Sequence, residues 1–191
     1  MYGGSTTDTR TWLWDGTNWT ALTTASHPGP RQYVRMAPLG GKLILFGGLD
    51  MSQVALSDTW QFDGVNWSQL PHAYGPGPRG GYGMATVGGN VVIFGGAYTD
   101  GASPWNTYYY GDTWLFDGTR WISGPGGPVA RYAPILAELD GKAVLHGGRS
   151  SPGSDGFFLS DTWIFDPATG WSRPQLTHGA PGIHEATATT L

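Results

Sequence analysis

Short apolar runs that end in Gly-Gly recur along this chain. They read LILFGG at Leu43–Gly48, VVIFGG at Val91–Gly96 and AVLHGG at Ala143–Gly148. The first two runs are rich in β-branched or aromatic residues and all three are closed by two glycines, which is typical of a short buried strand. No segment of useful length shows the spacing of an amphipathic helix. The pattern therefore predicts an all-β fold.

A second pattern follows each Gly-Gly pair and contains two tryptophans. It reads DTWQFDGVNW at 58–67, DTWLFDGTRW at 112–121 and DTWIFDPATGW at 161–171, and a clipped copy, TWLWDGTNW, occupies 11–19. Asp-Gly between two aromatic segments is a strong signal for a hairpin turn. Asp-Pro replaces it in the last copy and still favours a turn. We therefore expect one outer hairpin in each copy.

A third segment precedes each complete Gly-Gly run and begins with Arg. It covers 31–39, 79–87 and 131–139, and a Gly-bearing turn joins each one to its Gly-Gly strand. Every copy is thus predicted to hold four antiparallel strands. The second glycine of the pair recurs at Gly4, Gly48, Gly96 and Gly148, a period that is typical of propellers and solenoids. The expected repeats, within one domain spanning 1–191, are approximately 1–48, 49–96, 97–148 and 149–191.

The Gly-Gly pair, an aromatic residue about a dozen positions later and a Trp seven positions after that resemble the kelch repeat. The resemblance covers nearly the whole chain. It implies a kelch-type β-propeller of four four-stranded antiparallel blades, with the Arg-headed strand innermost and the strand that begins at Trp67 or Trp121 outermost. Met1 and Tyr2 align with the end of a Gly-Gly strand, and 183–191 align with an innermost strand. The blade at the seam is therefore expected to be incomplete.

The resemblance leaves three ways of completing the ring. Four blades could close alone with a damaged seam, two chains could meet end to end as a homodimeric ring of eight, or the chain could be one piece of a longer protein. Open sheet edges promote pairing with another chain. The homodimer is favoured because kelch rings usually contain more than four blades.

Composition limits the partners that we expect. The formal net charge is −4 and no cluster of Lys or Arg occurs, so neither nucleic acid nor an anionic membrane is an expected partner. No basic apolar leader and no long apolar run indicate export or membrane insertion, which makes a cytoplasmic location the default and leaves an extracellular one open. The chain has no Cys, which excludes disulfides and the Tyr–Cys copper chemistry of galactose oxidase, a kelch enzyme.

Four up-and-down strands place the segment after each Gly-Gly pair at one end of the sheets, which we call the loop end, and the Asp-Gly turns at the other. The variable segments 49–57, 97–111 and 149–160 fall at the loop end. Long loops on a rigid scaffold usually carry binding sites. We therefore look for function there.

The aromatic residues of one loop stand apart from the repeat. Eight of the ten tryptophans belong to the repeated pair and Trp14 takes the place of a repeated Phe, which leaves Trp105 unexplained. Its loop also holds Tyr98, Tyr108, Tyr109 and Tyr110. Such side chains suit stacking on sugars, aromatic groups or a protein surface. Our first hypothesis is a non-catalytic module that binds a protein, peptide or glycan here, and the alternative is a self-packed flap or a dimer seal.

Charged residues of the innermost segments are further candidates. Arg31, Arg79 and Arg131 recur at one repeat position, which fits either a structural group bonded to carbonyls and carboxylates or a ligand contact. Arg35 has no charged counterpart in the other copies. Period-two alternation would put it on the same side of its strand as Arg31 and Tyr33.

The alternative function uses charges at the mouth of a central channel. Glu185 aligns with Tyr33 and, like Arg35, has no charged counterpart, so the two could line the channel or pair across a seam. With His184 they could act as acid, base or anchor in a small-molecule enzyme of an isomerase, mutarotase or hydrolase-like type. The histidines share no ligand spacing, so we expect neither a metal site nor a cofactor.

Overall fold

The structure is a computed structural model that describes residues 1–2, 9–71, 74–99, 107–150 and 158–182. Within these ranges the chain forms sixteen strands. In chain order they are β1 (Thr11–Trp14), β2 (Trp19–Leu22), β3 (Arg35–Leu39), β4 (Lys42–Leu49), β5 (Ala55–Phe62), β6 (Trp67–Leu70), β7 (Gly83–Val87), β8 (Asn90–Phe94), β9 (Ala97–Thr99), β10 (Thr107–Tyr109), β11 (Thr113–Phe116), β12 (Trp121–Ser123), β13 (Ile135–Leu139), β14 (Lys142–His146), β15 (Thr162–Asp166) and β16 (Gly170–Ser172).

These strands form three four-stranded antiparallel sheets, which confirms the all-β prediction. Their orders are β3-β4-β5-β6, β7-β8-β11-β12 and β13-β14-β15-β16. β1 and β2 form a hairpin equivalent to the outer half of such a sheet. Met1 and Trp12 exchange two backbone hydrogen bonds, at 2.5 and 2.9 Å, in the way that Leu45 and Trp60 pair in the first complete sheet. The alignment of Met1 with Leu45 is therefore confirmed.

The two ends of each sheet differ as expected. In the first sheet the turn that joins β3 to β4 contains Gly40 and Gly41, and the Asp-Gly turn joins β5 to β6 at the same end. At the opposite end the residue after the Gly-Gly pair, Leu49, bridges to Gln32. The variable segments therefore emerge at the loop end, away from the Asp-Gly tips.

In the Arg-headed segments, strand pairing begins several residues later than the sequence predicts. Strand pairing begins at Arg35, because Tyr33 adopts a left-handed backbone with φ of 53°. Gly81 and Ala133 hold the same repeat position with φ of 61° and 51°. The expected alternation that placed Arg31, Tyr33 and Arg35 on one side is therefore wrong, since a left-handed residue interrupts the extended backbone.

This left-handed position also links successive sheets. The N–H of Gly81 donates to the carbonyl of Tyr33 at 2.9 Å, and the N–H of Ala133 donates to the carbonyl of Gly81 at 2.6 Å. The backbone feature recurs in three repeats, so it belongs to the fold. It connects the backbone of each Arg-headed segment to that of the next.

Side chains from neighbouring sheets interlock in a repeated way, which we call the inter-sheet junction. Phe46 packs on Trp121 of the second sheet, and Phe94 packs on Trp171 of the third, with ring centroids 5.2 and 5.0 Å apart. The indole N–H of the tryptophan then donates to a threonine of the preceding sheet. The three pairs are Trp67–Thr11, Trp121–Thr59 and Trp171–Thr113, at 2.8, 2.9 and 2.8 Å. The second Trp of each of the three complete copies is thus a junction residue.

The Gly-Gly pair has a packing reason. Gly48 and Gly96 both have φ of 96°, and their N–H groups donate to the carbonyls of Arg79 and Arg131 in the next repeat. A Cβ at Gly95 would lie 2.5 Å from the carbonyl oxygen of Arg131. Glycine is therefore required where the next repeat crosses the end of the strand.

Candidate functional site

The three repeat arginines are structural. Arg31, Arg79 and Arg131 are 2%, 0% and 0% exposed. Each binds a carboxylate through two guanidinium nitrogens and also donates to the carbonyl of the first glycine of a Gly-Gly pair. The carboxylates are Asp58, Asp112 and Asp161, reached by the closer nitrogen at 2.8, 2.5 and 2.7 Å. Because these donors are buried and occupied, their assignment as ligand-binding residues is corrected to a structural role.

The ionisation of the paired carboxylates agrees with this role. Burial alone would raise the pKa of Asp112, but hydrogen bonds from Arg79 and from the indole of Trp114 hold it below its usual value. The same balance, with Arg131 and Trp163, lowers the pKa of Asp161. The first Trp of each of the three complete copies is thus also explained, because its indole N–H donates to the aspartate two positions before it.

A cleft of about 270 Å³ lies at the loop end of the sheets. It forms where the residues directly after the Gly-Gly pairs of three successive repeats meet, namely Leu49, Ala97 and Arg149. The β9–β10 hairpin, which is not part of the repeat, supplies one side. We call this cavity the tyrosine cleft, after the side chains that line it together with Arg149. These are Tyr33, Tyr98, Tyr109 and Tyr132.

The tyrosines of the cleft support one another. Tyr109 stacks on Tyr132 with ring centroids 6.3 Å apart and 19° between the planes, and Tyr33 meets Tyr132 edge-on at 6.1 Å. The ring of Tyr132 lies against the backbone of Gly81, where an added Cβ would be 2.1 Å from a ring carbon. Tyr132 is therefore held by its neighbours on both sides.

The tyrosines of the predicted aromatic loop lie on or next to the β9–β10 hairpin, and only some of them line the cleft. Tyr98 and Tyr108 are cross-strand partners and stack at 5.1 Å. Tyr110 lies under the guanidinium of Arg79, whose Cζ is 3.7 Å from the ring centroid. Tyr98 and Tyr109 line the cleft, whereas Tyr108 and Tyr110 do not. Trp105 lies outside the described residues, so its role stays a prediction.

Arg149 gives the cleft its charge. Its Nε is buried and has no hydrogen-bond partner in the described part of the chain, while its backbone pairs with Tyr132. Burial raises the pKa of Tyr109, and the positive charge of Arg149 opposes that shift. The sequence carries a signal for this residue, because the same repeat position holds the uncharged residues Ser5, Leu49 and Ala97 in the other copies and a charge there breaks the pattern.

A second cavity, of about 590 Å³, lies between the outer strands of the first two sheets. Its Trp121 forms an inter-sheet junction, and its Arg120 is 76% exposed and paired with Asp117 at 3.6 Å. The groups that line it thus already have partners or contact solvent. We therefore regard the tyrosine cleft as the better candidate.

Of the three residues proposed for catalysis, Arg35 alone lies within the described residues. Arg35 begins β3, and its backbone N–H donates to the hydroxyl oxygen of Tyr82 at 3.2 Å. His184 and Glu185 lie outside the described residues, so the catalytic hypothesis stays a prediction. Within the ranges that the structure describes, no three His, Asp or Glu side chains are grouped to hold a metal ion. In the same ranges no helix has the length and apolar character needed to cross a membrane.

Comparison with known proteins adds no assignment. No protein-family model matches the chain. A search of curated proteins also found no match.

Proposed function

We propose that this chain is a non-catalytic binding module that holds one unit of a glycan, peptide or protein partner in the tyrosine cleft. The supporting observation is that the cleft forms where three repeats meet at the loop end. Tyr33, Tyr109 and Tyr132 take no part in the inter-sheet junctions. Aromatic walls on a rigid sheet scaffold are well suited to stacking on a flat ligand.

The size of the cleft favours a small occupant. Ligand pockets for drug-sized molecules start at roughly 300 Å³, and the tyrosine cleft measures about 270 Å³. One ring-sized group therefore fits, either as a free small molecule or as one residue of a longer chain. We propose that the cleft selects its partner by recognising this one ring-sized group.

We also propose that the sheets are blades of a kelch-type propeller. The three identical inter-sheet junctions support this arrangement, because a constant step between sheets is what a ring needs. One further junction could form, because the chain has an unused tryptophan on one surface and a threonine at the matching repeat position on another. Trp19 is equivalent to the junction tryptophans but is 51% exposed, and Thr162 is equivalent to the junction threonines but contacts His146 at 3.0 Å.

A second copy of the chain would complete that junction on each side and give the homodimeric ring of eight. Trp14, 53% exposed, stacks on Trp19 at 5.3 Å and would be covered with it. Sedimentation analysis should give twice the chain mass of 20.4 kDa, and Trp19→Ala should shift the protein toward the single chain. A wild-type mass of one chain would contradict the dimer.

The binding proposal is tested with matched tyrosine variants. Wild-type protein is screened on a glycan and peptide array, and affinities of the hits are measured by calorimetry. Tyr109→Ala should weaken binding by about 5- to 100-fold, since loss of a stacked aromatic side chain and its buried area costs about 1–3 kcal/mol. Tyr74→Ala is the control, because it removes an exposed tyrosine that borders the second cavity and does not line the cleft. Equal losses in both variants, or no hit at all, would contradict the proposal.

A further inference from the structure

Arg149 differs from the other buried arginines of this protein. Arg31, Arg79 and Arg131 each bind a carboxylate through two nitrogens. The Arg149 side chain is partly buried, lines the tyrosine cleft, and its Nε has no hydrogen-bond partner in the described part of the chain. Three buried guanidinium groups thus have their donors occupied, whereas the Nε of Arg149 is buried without a partner in the described part of the chain.

A buried guanidinium N–H without a hydrogen-bond acceptor is unfavourable. A charged group withdrawn from water loses solvation, and proteins restore that loss with a counter-charge or hydrogen bonds. The described residues that line the cleft include no Asp or Glu. The missing partner of Arg149 is therefore expected to arrive with a ligand, and a guanidinium is matched best by a planar oxyanion such as carboxylate.

The other residues of the cleft indicate which kind of ligand would carry this carboxylate. The stacked pair Tyr109 and Tyr132 offers a flat wall, and the side chains of Gln53 and Thr99 add neutral hydrogen-bonding groups near it. Aromatic faces with amide and hydroxyl groups suit a ring that carries hydroxyls, whereas a purely aromatic acid would leave those groups unpaired. The volume admits about one such ring.

We propose that the tyrosine cleft recognises an acidic sugar unit, a uronate, whose carboxylate accepts hydrogen bonds from Arg149 while its ring stacks on the tyrosine wall. This inference rests on the proposed binding function and names its ligand class. Arg149 is assigned here as the residue that determines the preference for an acid over the neutral sugar.

The test is calorimetric titration of the full chain with galacturonate and glucuronate, with methyl glucoside as the neutral match and benzoate as the ring acid without hydroxyls. Arg149→Gln should weaken uronate binding by about 10- to 100-fold, because hydrogen bonds to charged groups contribute on that scale. Arg149→Lys should recover part of the affinity. Arg120→Gln, which removes an exposed arginine far from the loop end, is the control and should bind as wild type.

The outcomes separate this inference from the function on which it rests. Uronate binding that depends on Arg149 supports the inference. Equal binding of methyl glucoside and uronates, unchanged in Arg149→Gln, overturns it but keeps the binding module. Tighter binding of benzoate overturns the sugar assignment. No binding of uronates, together with a different hit on the array that depends on Tyr109, also overturns it, while no ligand of any kind counts against the proposed function itself.

Discussion

Removal of a repeat arginine should destabilise the whole fold. Arg79 is 0% exposed, and its guanidinium binds Asp112 at 2.5 and 2.9 Å, the carbonyl of Gly95 at 3.1 Å and the ring of Tyr110. Loss of one partner of a buried ion pair costs about 3–5 kcal/mol. Because the Asp112 side chain is 37% exposed, water relieves part of that cost, and we expect Arg79→Ala to lose about 3 kcal/mol.

Urea unfolding followed by tryptophan fluorescence would measure this loss. Arg131→Ala should cost at least as much, since its partner Asp161 is only 18% exposed. Arg120→Ala removes an exposed ion pair and should change the free energy of unfolding by less than about 1 kcal/mol. A loss below about 1 kcal/mol for Arg79→Ala, or equal losses for the buried and exposed variants, would refute the structural role.

Three other perturbations follow from the same contacts. Gly95→Ala should cost more than about 2 kcal/mol because its Cβ would strike the next repeat, whereas Gly64→Ala, with open space around it, should cost only about 1 kcal/mol of backbone strain. Trp121→Phe leaves a junction threonine without its donor and should lower stability by about 1–2 kcal/mol in the same urea assay. The lowered pKa values of Asp112 and Asp161 imply a contribution to stability that is complete above the unfolded pKa of 3.8 and is lost as the pH falls further. The urea midpoint should therefore stay level from pH 5 to pH 7 and drop between about pH 4 and pH 2.

Much of the fold could be predicted from local sequence. The β-branched runs before Gly-Gly and the Asp-Gly turns each have a short-range physical cause, and β4, β8 and the outer hairpins lie where those signals predicted. The start of the Arg-headed strand was predicted too early. Nothing local to Tyr33 or Ala133 indicates a left-handed backbone, which is imposed by hydrogen bonds to the neighbouring repeat.

The candidate site was predicted only in part. Position relative to the repeat located the loop end, and composition singled out Tyr98 and Tyr109. The cleft itself depends on tertiary contacts, since Tyr132 reaches it from the next repeat and rests on Gly81. A recurring Arg could not be distinguished by sequence as structural or ligand-binding until its carboxylate partner, about 30 residues away, was known.

The most direct test of the account follows the side-chain N–H of Arg149 by ¹H–¹⁵N correlation spectroscopy while galacturonate is added. We expect the Nε–H resonance to move downfield as this group donates to the carboxylate, and the amide resonances of Ala97 and Tyr109 to shift at the same midpoint. Shifts confined to the Asp-Gly tips, such as those of Gly64 and Gly118, with an unmoved Arg149 resonance would contradict a binding site at the loop end.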